Sequence, residues 1–553
     1  MESVVTVLQW TALFIAVLIA ISSLDDLFVD FVFWAGRLQC CLRGRSDVDP
    51  VDTDALMAKA QQPIAIMLPA WQEADVIASM IDHAVGTLAY RNYTIFIGTY
   101  ANDAETAAEV DKICARYRQV RHVRVPHDGP TCKADCLNHI VADIHAIENE
   151  RGIEFSGLVL HDSEDVLHPL ELHLFNYFLP TRDMIQLPVV SLEQRYTDFV
   201  AGTYMDEFAE SHAKDLVVRQ RLAKTVPSAG VGTCFSRRAI AVLEQQGDPF
   251  STATLTEDYD IGNRLAAHGM SAVMMRYPVE FRTRRGALLG MGSDRLVTLE
   301  MPLCVREHFP NTFKASYRQK ARWILGIGLQ GWAQLGWSKS VVGNYFLLRD
   351  RKALITPTLA ILAYGLMLAF LGLNIRAGVT GGEAVAFFPD YPFAMLLVLF
   401  NLTALVLRLC QRMHFVRRIY GWGHAVMSVP RSIVGSFVNF TASMRALRIF
   451  AMARLTGTPI AWDKTMHRFP SNACLGQDRQ RLGEILVSWD AVTSPKLETA
   501  LVEQQSNGGL LGEVLIGHGA IDPQTLADAL AMQESQAQGV DALDSSPKKR
   551  AHA

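Results

Sequence analysis

The sequence predicts an α/β domain joined to membrane-spanning helices and followed by a small helical repeat. Three observations support this prediction. Uncharged apolar segments long enough to cross a bilayer occur near the start and in the second half of the chain. Between them, short apolar runs alternate with helical segments, as in domains built on a parallel sheet. Near the end, two segments repeat the same spacing of leucine and glycine.

The composition favours several domains and a membrane over nucleic acid. Half of the 553 residues are hydrophobic, and the chain is too long for one compact domain. Its formal net charge of −4 provides no basic field for nucleic acid, so no nucleic-acid partner is expected. The nine cysteines have irregular spacings, which predicts reduced thiols in a cytosolic setting.

The first apolar segment, residues 4–24, predicts a membrane-spanning helix. No basic segment precedes it and no small-residue cleavage pattern follows, so a removed signal peptide is not expected. Arg37, Arg43 and Arg45 come after the segment. By the positive-inside rule, they place the start outside and the next several hundred residues in the cytoplasm.

Two later segments, residues 353–373 and 392–409, predict two more spans. Basic residues precede the first and close the second, so the loop around Gly381 should face outward. The chain then returns to the cytoplasm. Residues 421–450 mix proline and arginine with apolar residues, which favours interfacial helices there over a fourth span.

Five apolar runs between residues 60 and 278 predict strands: PIAIML, YTIFIG, HVRV, GLVL and AVMM. Ligands bind beyond the carboxyl ends of strands in open α/β sheets. Three of these runs end in acidic residues, with Glu73 after the first, Asp103 after the second and HDSED after the fourth. We therefore predict a nucleotide and metal crevice at this edge of the sheet.

The HDSED turn supplies candidate metal ligands. Asp162 and Glu164 are two residues apart, close enough to hold one hard divalent cation, Mg²⁺ or Mn²⁺, that also takes phosphate oxygens. A solvated acidic turn is the alternative. Lys133, in GPTCKADCLNHI, could neutralise a phosphate or approach a base, although by itself it could be an ordinary surface lysine.

Two further motifs carry candidate catalytic residues. Asp258, in TLTEDYD, lies where a loop passes into a helix with Thr256 as a possible cap, and could accept a proton from a sugar hydroxyl. In QKARW, Gln319, Arg322 and Trp323 share one helix face, which offers a guanidinium for a diphosphate and an indole for a sugar ring. A helix cap and an amphipathic helix at the headgroups are the respective alternatives.

The order of PAWQE, Asp103, Lys133, DSED, TED and QKARW before membrane spans resembles the processive family 2 glycosyltransferases, which include cellulose, chitin and hyaluronan synthases. The resemblance covers roughly residues 60–418. It implies a GT-A (Rossmann-like) fold and an inverting transfer from a UDP-sugar to a growing glycan or a lipid acceptor.

The resemblance also implies roles for the donor-side residues. Glu73 and Asp103 would contact the uridine, Lys133 the nucleotide, and Asp162 with Glu164 the phosphates and metal. The usual DxD pattern of the family reads DSE here, which leaves open whether Glu164 or Asp165 completes the metal site.

On the acceptor side, the resemblance makes Asp258 the general base. Gln319, Arg322 and Trp323 would hold the diphosphate and the acceptor end. Two spans after the catalytic domain are few for a private polymer channel, so a dimer, interfacial helices or a separate export partner would be needed.

A repeat follows residue 470. Residues 481–504 align with residues 510–533 at a constant offset, which predicts a pair of short helices in each unit. By itself the repeat could be a docking module. Its motifs resemble the MshE-type N-terminal domain of secretion ATPases, a receptor for cyclic di-GMP. The residues that this resemblance places at the dinucleotide are Arg481, Leu482, Gly483, Leu486, Leu511, Gly512 and Leu515. Leu510 replaces the leading arginine, and Asp490 stands where the second unit has Gly519, so the affinity should be reduced.

The whole combination resembles the bacterial inner-membrane family named phage adsorption protein B. It implies a multi-pass protein that makes or exports a surface polysaccharide on a cyclic di-GMP signal, with an outer-membrane partner and an N-acetylhexosamine donor favoured. The alternatives are transfer of one sugar to a lipid carrier and a non-catalytic receptor scaffold.

The sequence predicts five regions with the following limits: a membrane anchor (1–59), the catalytic domain (60–348), membrane and interfacial helices (349–470), the cyclic di-GMP unit (471–540) and a disordered tail (541–553).

Overall fold

A seven-stranded mixed sheet organises the first large domain of this computed structural model. The structure describes residues 2–43, 51–129, 131–285, 295–388, 391–458, 460, 469–470, 482–489, 491–507, 510–530 and 532. The strands are β1 (Ile64–Pro69), β2 (Tyr93–Tyr100), β3 (Val120–Val125), β4 (Gly157–Leu160), β5 (Met184–Gln186), β6 (Val189–Ser191), β7 (Thr233–Ser236), β8 (Ala272–Met274), β9 (Pro278–Arg285), β10 (Arg295–Pro302) and β11 (Val305–Glu307).

The helices before the second membrane-length segment cover the sheet or follow it. They are α1 (Glu2–Leu42), α2 (Thr53–Ala58), α3 (Ile77–Thr87), α4 (Ala104–Arg116), α5 (Lys133–Arg151), α6 (Glu171–Phe178), α7 (Phe199–Glu210), α8 (Leu216–Ala223), α9 (Arg237–Glu244), α10 (Glu257–Ala267), α11 (Phe313–Trp323), α12 (Gly331–Leu335) and α13 (Val341–Lys352). Two π-helical turns, Ser211–Asp215 and Ile324–Gln330, extend α7 and α11.

The remaining helices are α14 (Thr356–Thr380), α15 (Pro392–Thr456), α16 (Leu482–Ser488), α17 (Ser494–Asn507) and α18 (Leu511–Gly517), followed by helical residues 523–530.

The strand order of the main sheet is β3-β2-β1-β4-β7-β5-β8. All neighbouring pairs are parallel except those of β7, which runs antiparallel to both β4 and β5. Apolar clusters cover both faces, as a largely parallel sheet requires. The five predicted apolar runs all form strands, and the α/β fold class is confirmed. β5 and β7 are short and carry polar residues, so their sequences gave no comparable signal.

Two small sheets extend this domain. β9 and β10 form an antiparallel pair, while β11 pairs in parallel with β6. An isolated bridge between Val166 and Arg306 ties β11 to the segment after HDSED. This pairing carries Glu307, at the end of β11, towards the carboxyl end of β4.

Within the part of the chain that the structure describes, three helices are long and apolar enough to cross a membrane: α1, α14 and α15. α1 and α15 contain the predicted segments 4–24 and 392–409, and α14 contains the predicted segment 353–373 from Thr356 onwards. Residues 421–450 form a helical segment that is separated from the first part of α15 by a break at Gly421, whose φ of 80° is accessible to glycine. The interfacial position of this segment stays a prediction. Large apolar side chains on both sides of this break, including Leu399 and Ile433, are exposed in the structure.

Acidic residues of α1 pair with basic residues that flank the two later membrane-length helices. Asp25 accepts hydrogen bonds from Arg349 at 2.5 Å and from Lys352 at 2.6 Å. Asp26 pairs with Lys352 and with Arg408 of α15. These contacts connect the middle of α1 with the end of α13 and with the first part of α15.

The part of α15 beyond the break is anchored to the catalytic domain by a buried ion pair. Arg431 is fully buried and donates to Asp206 of α7 at 2.8 Å and to the carbonyl oxygen of His424 at 2.6 Å. Gly202 makes room for it, since a Cβ there would lie 2.5 Å from Arg431 Cδ. An arginine in this segment therefore serves packing against α7.

The two repeat units form paired helices around one apolar core, as the repeat predicted. Gly483 and Gly512 allow close helix packing, because a Cβ at either position would lie within 2.9 Å of Leu497 or 2.5 Å of Leu526. Leu486 and Leu515 are fully buried in this core. Both leucines pack the inside of the unit, and their predicted contact with the dinucleotide stays a prediction. Arg481 lies outside the described residues.

The Arg431–Asp206 pair yields a stability prediction. Arg431→Met should lower the free energy of unfolding by about 3–5 kcal/mol, because it leaves Asp206 buried without its cation. Thermal unfolding of the purified protein in detergent measures the effect. Arg448→Met, at an exposed position of the same helix, is the matched control and should unfold like the wild type. Equal unfolding temperatures for both variants would contradict the assignment.

Candidate functional site

A cavity of about 420 Å³ lies beside the carboxyl ends of β1 and β4. Residues from five separate sequence motifs line it. Of the residues predicted for the transferase site, those in its wall are Glu73, Lys133, Asp162, Glu164, Asp258, Gln319, Arg322 and Trp323. The structure therefore brings together side chains that are up to 250 positions apart, since the first is residue 73 and the last residue 323.

Asp103 does not line this cavity. It occupies the N-cap of α4, where one carboxylate oxygen accepts a hydrogen bond from the backbone of Thr106. The other accepts the backbone N–H of Gln72 at 2.5 Å. Gln72 has a φ of 55°, a conformation that few non-glycine residues adopt. Asp103 thus holds the loop that presents Glu73.

An ion pair crosses the cavity wall. Lys133, the first residue of α5, lies 2.5 Å from Asp162 and donates to the carbonyl oxygen of Gly230 at 3.1 Å. Burial disfavours its charge, but Asp162, Glu257 and Asp258 outweigh burial and raise the pKa of Lys133 above its usual value. The lysine therefore stays positively charged in the cavity.

The HDSED turn places its acids in two different environments. His161, Asp165 and Glu171 form a wholly buried cluster, in which the imidazole contacts Asp165 at 2.7 Å and Glu171 at 2.6 Å. Burial opposes the imidazolium, yet the two carboxylates raise the pKa of His161 to about 10. Asp165 also accepts the backbone N–H of Asp162. Of the two acids left open by the sequence, Glu164 lines the cavity while Asp165 faces the interior.

Glu307 is a cavity acid that the sequence analysis missed. It lies in the wall beside Glu164, and burial followed by repulsion from neighbouring carboxylates raises the pKa of both. Glu307 follows the short apolar run LCV after one arginine, much as acids follow the recognised strands. That pattern could have identified it. The run LCV was too short to be assigned as a strand.

The cavity has a strong excess of acid. Seven carboxyl groups line it, against the permanent cations of Lys133, Arg219 and Arg322. The seven are Glu73, Asp162, Glu164, Glu257, Asp258, Glu307 and Asp350. An anionic ligand such as a diphosphate would bind more favourably with additional positive charge, which a divalent cation among carboxylates supplies.

Asp258 lies in the first turn of α10. One of its oxygens accepts the backbone N–H of Tyr259 at 2.7 Å, and burial raises its pKa. Burial and the charge of Asp258 raise the pKa of Glu257 to about 8. Thr256 occupies the predicted N-cap position, although its side chain makes no capping hydrogen bond. The raised pKa makes Asp258 a stronger base than an exposed aspartate.

Gly230 lies against the Asp258 carboxylate and leaves no room for a side chain of its own. Its φ is 79°, and a Cβ there would lie 2.5 Å from Asp258 Oδ2. The same residue accepts the hydrogen bond of Lys133 through its carbonyl oxygen. A side chain at position 230 would therefore enter the space that the carboxylate occupies.

The QKARW motif ends α11 and forms another wall of the cavity. Trp323 is held at its edge by a group of aromatic rings, Tyr204, Phe208 and Phe309, with ring centroids 6.0 to 6.4 Å away. The buried Gln319 Oε1 has no hydrogen-bond partner among the described residues, and it lies in the cavity wall. Both side chains are thus available to a ligand in the cavity.

Lys320, on another face of α11, connects this helix to its supports. It donates to Glu207 of α7 at 2.6 Å and to Asn439 of α15 at 2.9 Å. The Asn439 amide donates to Glu207 in turn. The helix that carries Arg322 and Trp323 is consequently fixed to a membrane-length helix and to the catalytic domain at the same point.

Comparison with known proteins identifies similar chains. The model of the family "Glycosyl transferase family group 2" matches residues 157–377. Bacteriophage adsorption protein B of Escherichia coli (strain K12) is 41% identical over 540 residues, covering 96% of this chain and 71% of the relative. Bacteriophage N4 adsorption protein B of Escherichia coli O157:H7 shows the same identity and coverage.

Among solved structures, a mannosyltransferase from Pyrobaculum calidifontis, in complex with GDP-Man and Mn²⁺, aligns with a TM-score of 0.42 and 15% identity. The alignment covers 74% of this chain and 98% of that chain. At this distance no conclusion about donor or metal follows from it.

Gly230 gives a prediction specific to the site. Gly230→Ala should abolish most transferase activity, because its Cβ displaces the Asp258 carboxylate. Gly269→Ala is the matched control, since Gly269 also has a positive φ of 70° but open space around its Cβ. Both variants should lose similar stability, of about 1 kcal/mol. Equal activities in the two variants, measured at equal folded fraction, would contradict the placement of Asp258.

Proposed function

Because the chain belongs to the bacteriophage adsorption protein B family and is a family 2 glycosyltransferase, we propose that it is an inverting inner-membrane enzyme that uses a UDP-sugar to build or export a surface polysaccharide. One observation carries the proposal. A single cavity beside membrane-length helices contains the Lys133–Asp162 pair, the Asp258 carboxylate and the QKARW wall.

In the proposed reaction, Asp258 is the general base. It takes the proton of an acceptor hydroxyl while the hydroxyl oxygen forms a bond to the anomeric carbon. The bond from that carbon to the diphosphate breaks, and UDP leaves with the electron pair. Attack opposite the leaving group inverts the anomeric centre. The pKa of Asp258, raised by burial, supports this role because it strengthens the base.

The leaving diphosphate is proposed to lie between Lys133 and Arg322. Both cations line the cavity, and the raised pKa of Lys133 keeps its charge in place. A guanidinium can bind two phosphate oxygens at once. Glu73 and Asp103 are proposed to act at the uridine end of the donor. Asp103 would act indirectly, by holding the loop that carries Glu73.

The carboxylates of the cavity fit a divalent cation. Asp162 and Glu164, with Glu307 as a third candidate, are oxygen donors of the kind that Mg²⁺ and Mn²⁺ bind. Buried like charges raise the pKa of Glu164 and Glu307, and a cation between them would relieve that repulsion. When bound, the cation would neutralise charge on the departing diphosphate.

The acceptor is proposed to rest on Trp323. Its indole lies in the cavity wall, and the aromatic rings around it hold it in place for stacking on a sugar. α11 is bound to α15, so the glycan end would be held at the inner face of the bilayer. Export through the outer membrane would require a separate partner protein.

The donor class remains a narrower proposal, which the family resemblance alone supports. We favour a UDP-N-acetylhexosamine. Transfer of one sugar to a lipid carrier is the second candidate function, and the chain length of the products distinguishes it from polymer synthesis.

Regulation by cyclic di-GMP is proposed for the C-terminal repeat. Leu482, Gly483, Leu511 and Gly512 begin the paired helices of the two units. Close helix packing already explains Gly483 and Gly512, so these glycines are not evidence for a ligand. The proposal therefore depends on the repeated motif and on Arg481.

The transferase assignment predicts the behaviour of an Asp258 variant. Asp258→Asn should reduce UDP release by about 10²–10⁴-fold, because it removes the general base. The assay supplies a panel of UDP-sugars to the intact protein and follows both UDP release and product length. Asp260→Asn changes an acid on the same helix that does not line the cavity, and it serves as control. Undiminished activity of Asp258→Asn would remove this residue from the mechanism.

The regulatory assignment predicts binding by the full-length protein. Titration with cyclic di-GMP should show saturable binding and a higher rate of UDP release. Arg481→Ala should weaken binding at least tenfold, since it removes a cation from an anionic ligand. Lys496→Ala, at an exposed position of the first unit, should leave the affinity unchanged. No binding at micromolar ligand would count against cyclic di-GMP as the regulator.

A further inference from the structure

We propose that His127, Asp135 and His139 form a transition-metal site, distinct from the catalytic cavity, that takes Zn²⁺ or a cation of similar preference. His127 follows β3, while Asp135 and His139 lie on the first turns of α5. None of the three lines the cavity described above. The inference does not depend on the donor, the acceptor or the regulator of the enzyme.

The geometry of the three side chains is close to that of a coordinated ion. Among the described residues, they form the only group of three histidine, cysteine or acidic side chains whose donor atoms all lie within 4.8 Å of one another. His127 Nε2 is 3.3 Å from Asp135 Oδ2. A tetrahedral zinc ion with bonds of about 2.0–2.1 Å holds its ligand atoms roughly 3.3 Å apart.

His139 supplies the second observation. Its Nε2 is buried and has no hydrogen-bond partner in the described structure. Its ring centroid lies 5.4 Å from that of His127. Asp135 and His139 are four residues apart on α5, so both project from the same face of the helix. A buried ring nitrogen without a partner costs free energy, and a metal bond would satisfy it.

The donor set selects the class of metal. Two imidazoles with one carboxylate suit Zn²⁺ and neighbouring transition metals, whereas Mg²⁺ prefers oxygen ligands alone. Three protein ligands leave a fourth position for water. The acids of the catalytic cavity offer only carboxylate oxygens. We therefore expect the histidine site to prefer Zn²⁺ and the cavity to prefer Mg²⁺ or Mn²⁺.

Hydrogen bonds around the cluster orient the carboxylate. The Tyr100 hydroxyl donates to Asp135 Oδ2 at 3.0 Å, and the Thr131 hydroxyl donates to the same oxygen at 2.9 Å. Such bonds hold a carboxylate in place for a metal. Tyr100 is itself buried beneath the ring of Trp71.

The position of the cluster suggests what the ion would do. A cation shared by His127 and Asp135 would close the loop between β3 and α5. Lys133 lies in that closed segment, two residues before Asp135, and it pairs with Asp162 in the cavity. The metal would therefore act as a positioning element for Lys133 and take no part in the reaction itself.

The test uses the intact protein in detergent, stripped with a chelator and titrated with Co²⁺ as a spectroscopic substitute for Zn²⁺. With excess Mg²⁺ present to occupy the catalytic cavity, we expect one equivalent of Co²⁺ to bind with the visible absorption of a nitrogen and oxygen site, and without the charge-transfer band of a cobalt thiolate. Excess Zn²⁺ should displace it, and excess Mg²⁺ should not. His127→Ala and His139→Ala should each weaken binding at least tenfold.

Two control variants make the result specific. His268→Ala removes an exposed histidine elsewhere and should leave Co²⁺ binding unchanged. Asp162→Asn changes the catalytic cavity and should also leave it unchanged, which separates this site from the proposed catalytic metal. The proposal is overturned if the wild type binds no stoichiometric Co²⁺ or Zn²⁺ at micromolar concentration. Binding that survives in both His127→Ala and His139→Ala would overturn it equally.

Discussion

The charge balance of one cavity is the constraint on which the rest of the catalytic domain depends. Seven carboxyl groups converge there from strand ends, from the start of α10 and from the end of α13, and three permanent cations oppose them. The Lys133–Asp162 contact is the closest neutralising pair, and it links the start of α5 to the turn after β4. Burial, and then repulsion from neighbouring acids, raises the pKa of Glu164 and Glu307 and leaves the cavity suited to positive charge.

Much of this arrangement could be predicted from the sequence, because apolar strands followed by acids are a local pattern. β1, β2 and β4, with the residues after them, follow that rule. The places of Glu307 and Asp103 depend instead on contacts between distant segments. Glu307 reaches the cavity through the pairing of β11 with β6, and Asp103 turns towards the backbone of Gln72. The short run LCV gave only a weak local signal for Glu307, and no local pattern encodes the contact of Asp103 with Gln72.

The same distinction applies to the helices. The apolar segments identified the three membrane-length helices, but not that Arg431, in the helical segment after Gly421, is buried against Asp206. In the C-terminal unit, the repeat predicted the paired helices correctly. It could not show that Leu486 and Leu515 point into the core, because a leucine at such spacing suits an interior and a ligand surface equally well.

The contact of Lys320 with both Glu207 and Asn439 has a mechanical consequence. α11 has its orientation set jointly by the sheet domain and by the part of α15 beyond Gly421, which the sequence predicts at the membrane interface. Membrane helices change their tilt with the thickness of the bilayer. A change of lipid tail length would then rotate the indole and guanidinium relative to the base on α10, so that the host membrane becomes part of the geometry in which sugars are joined.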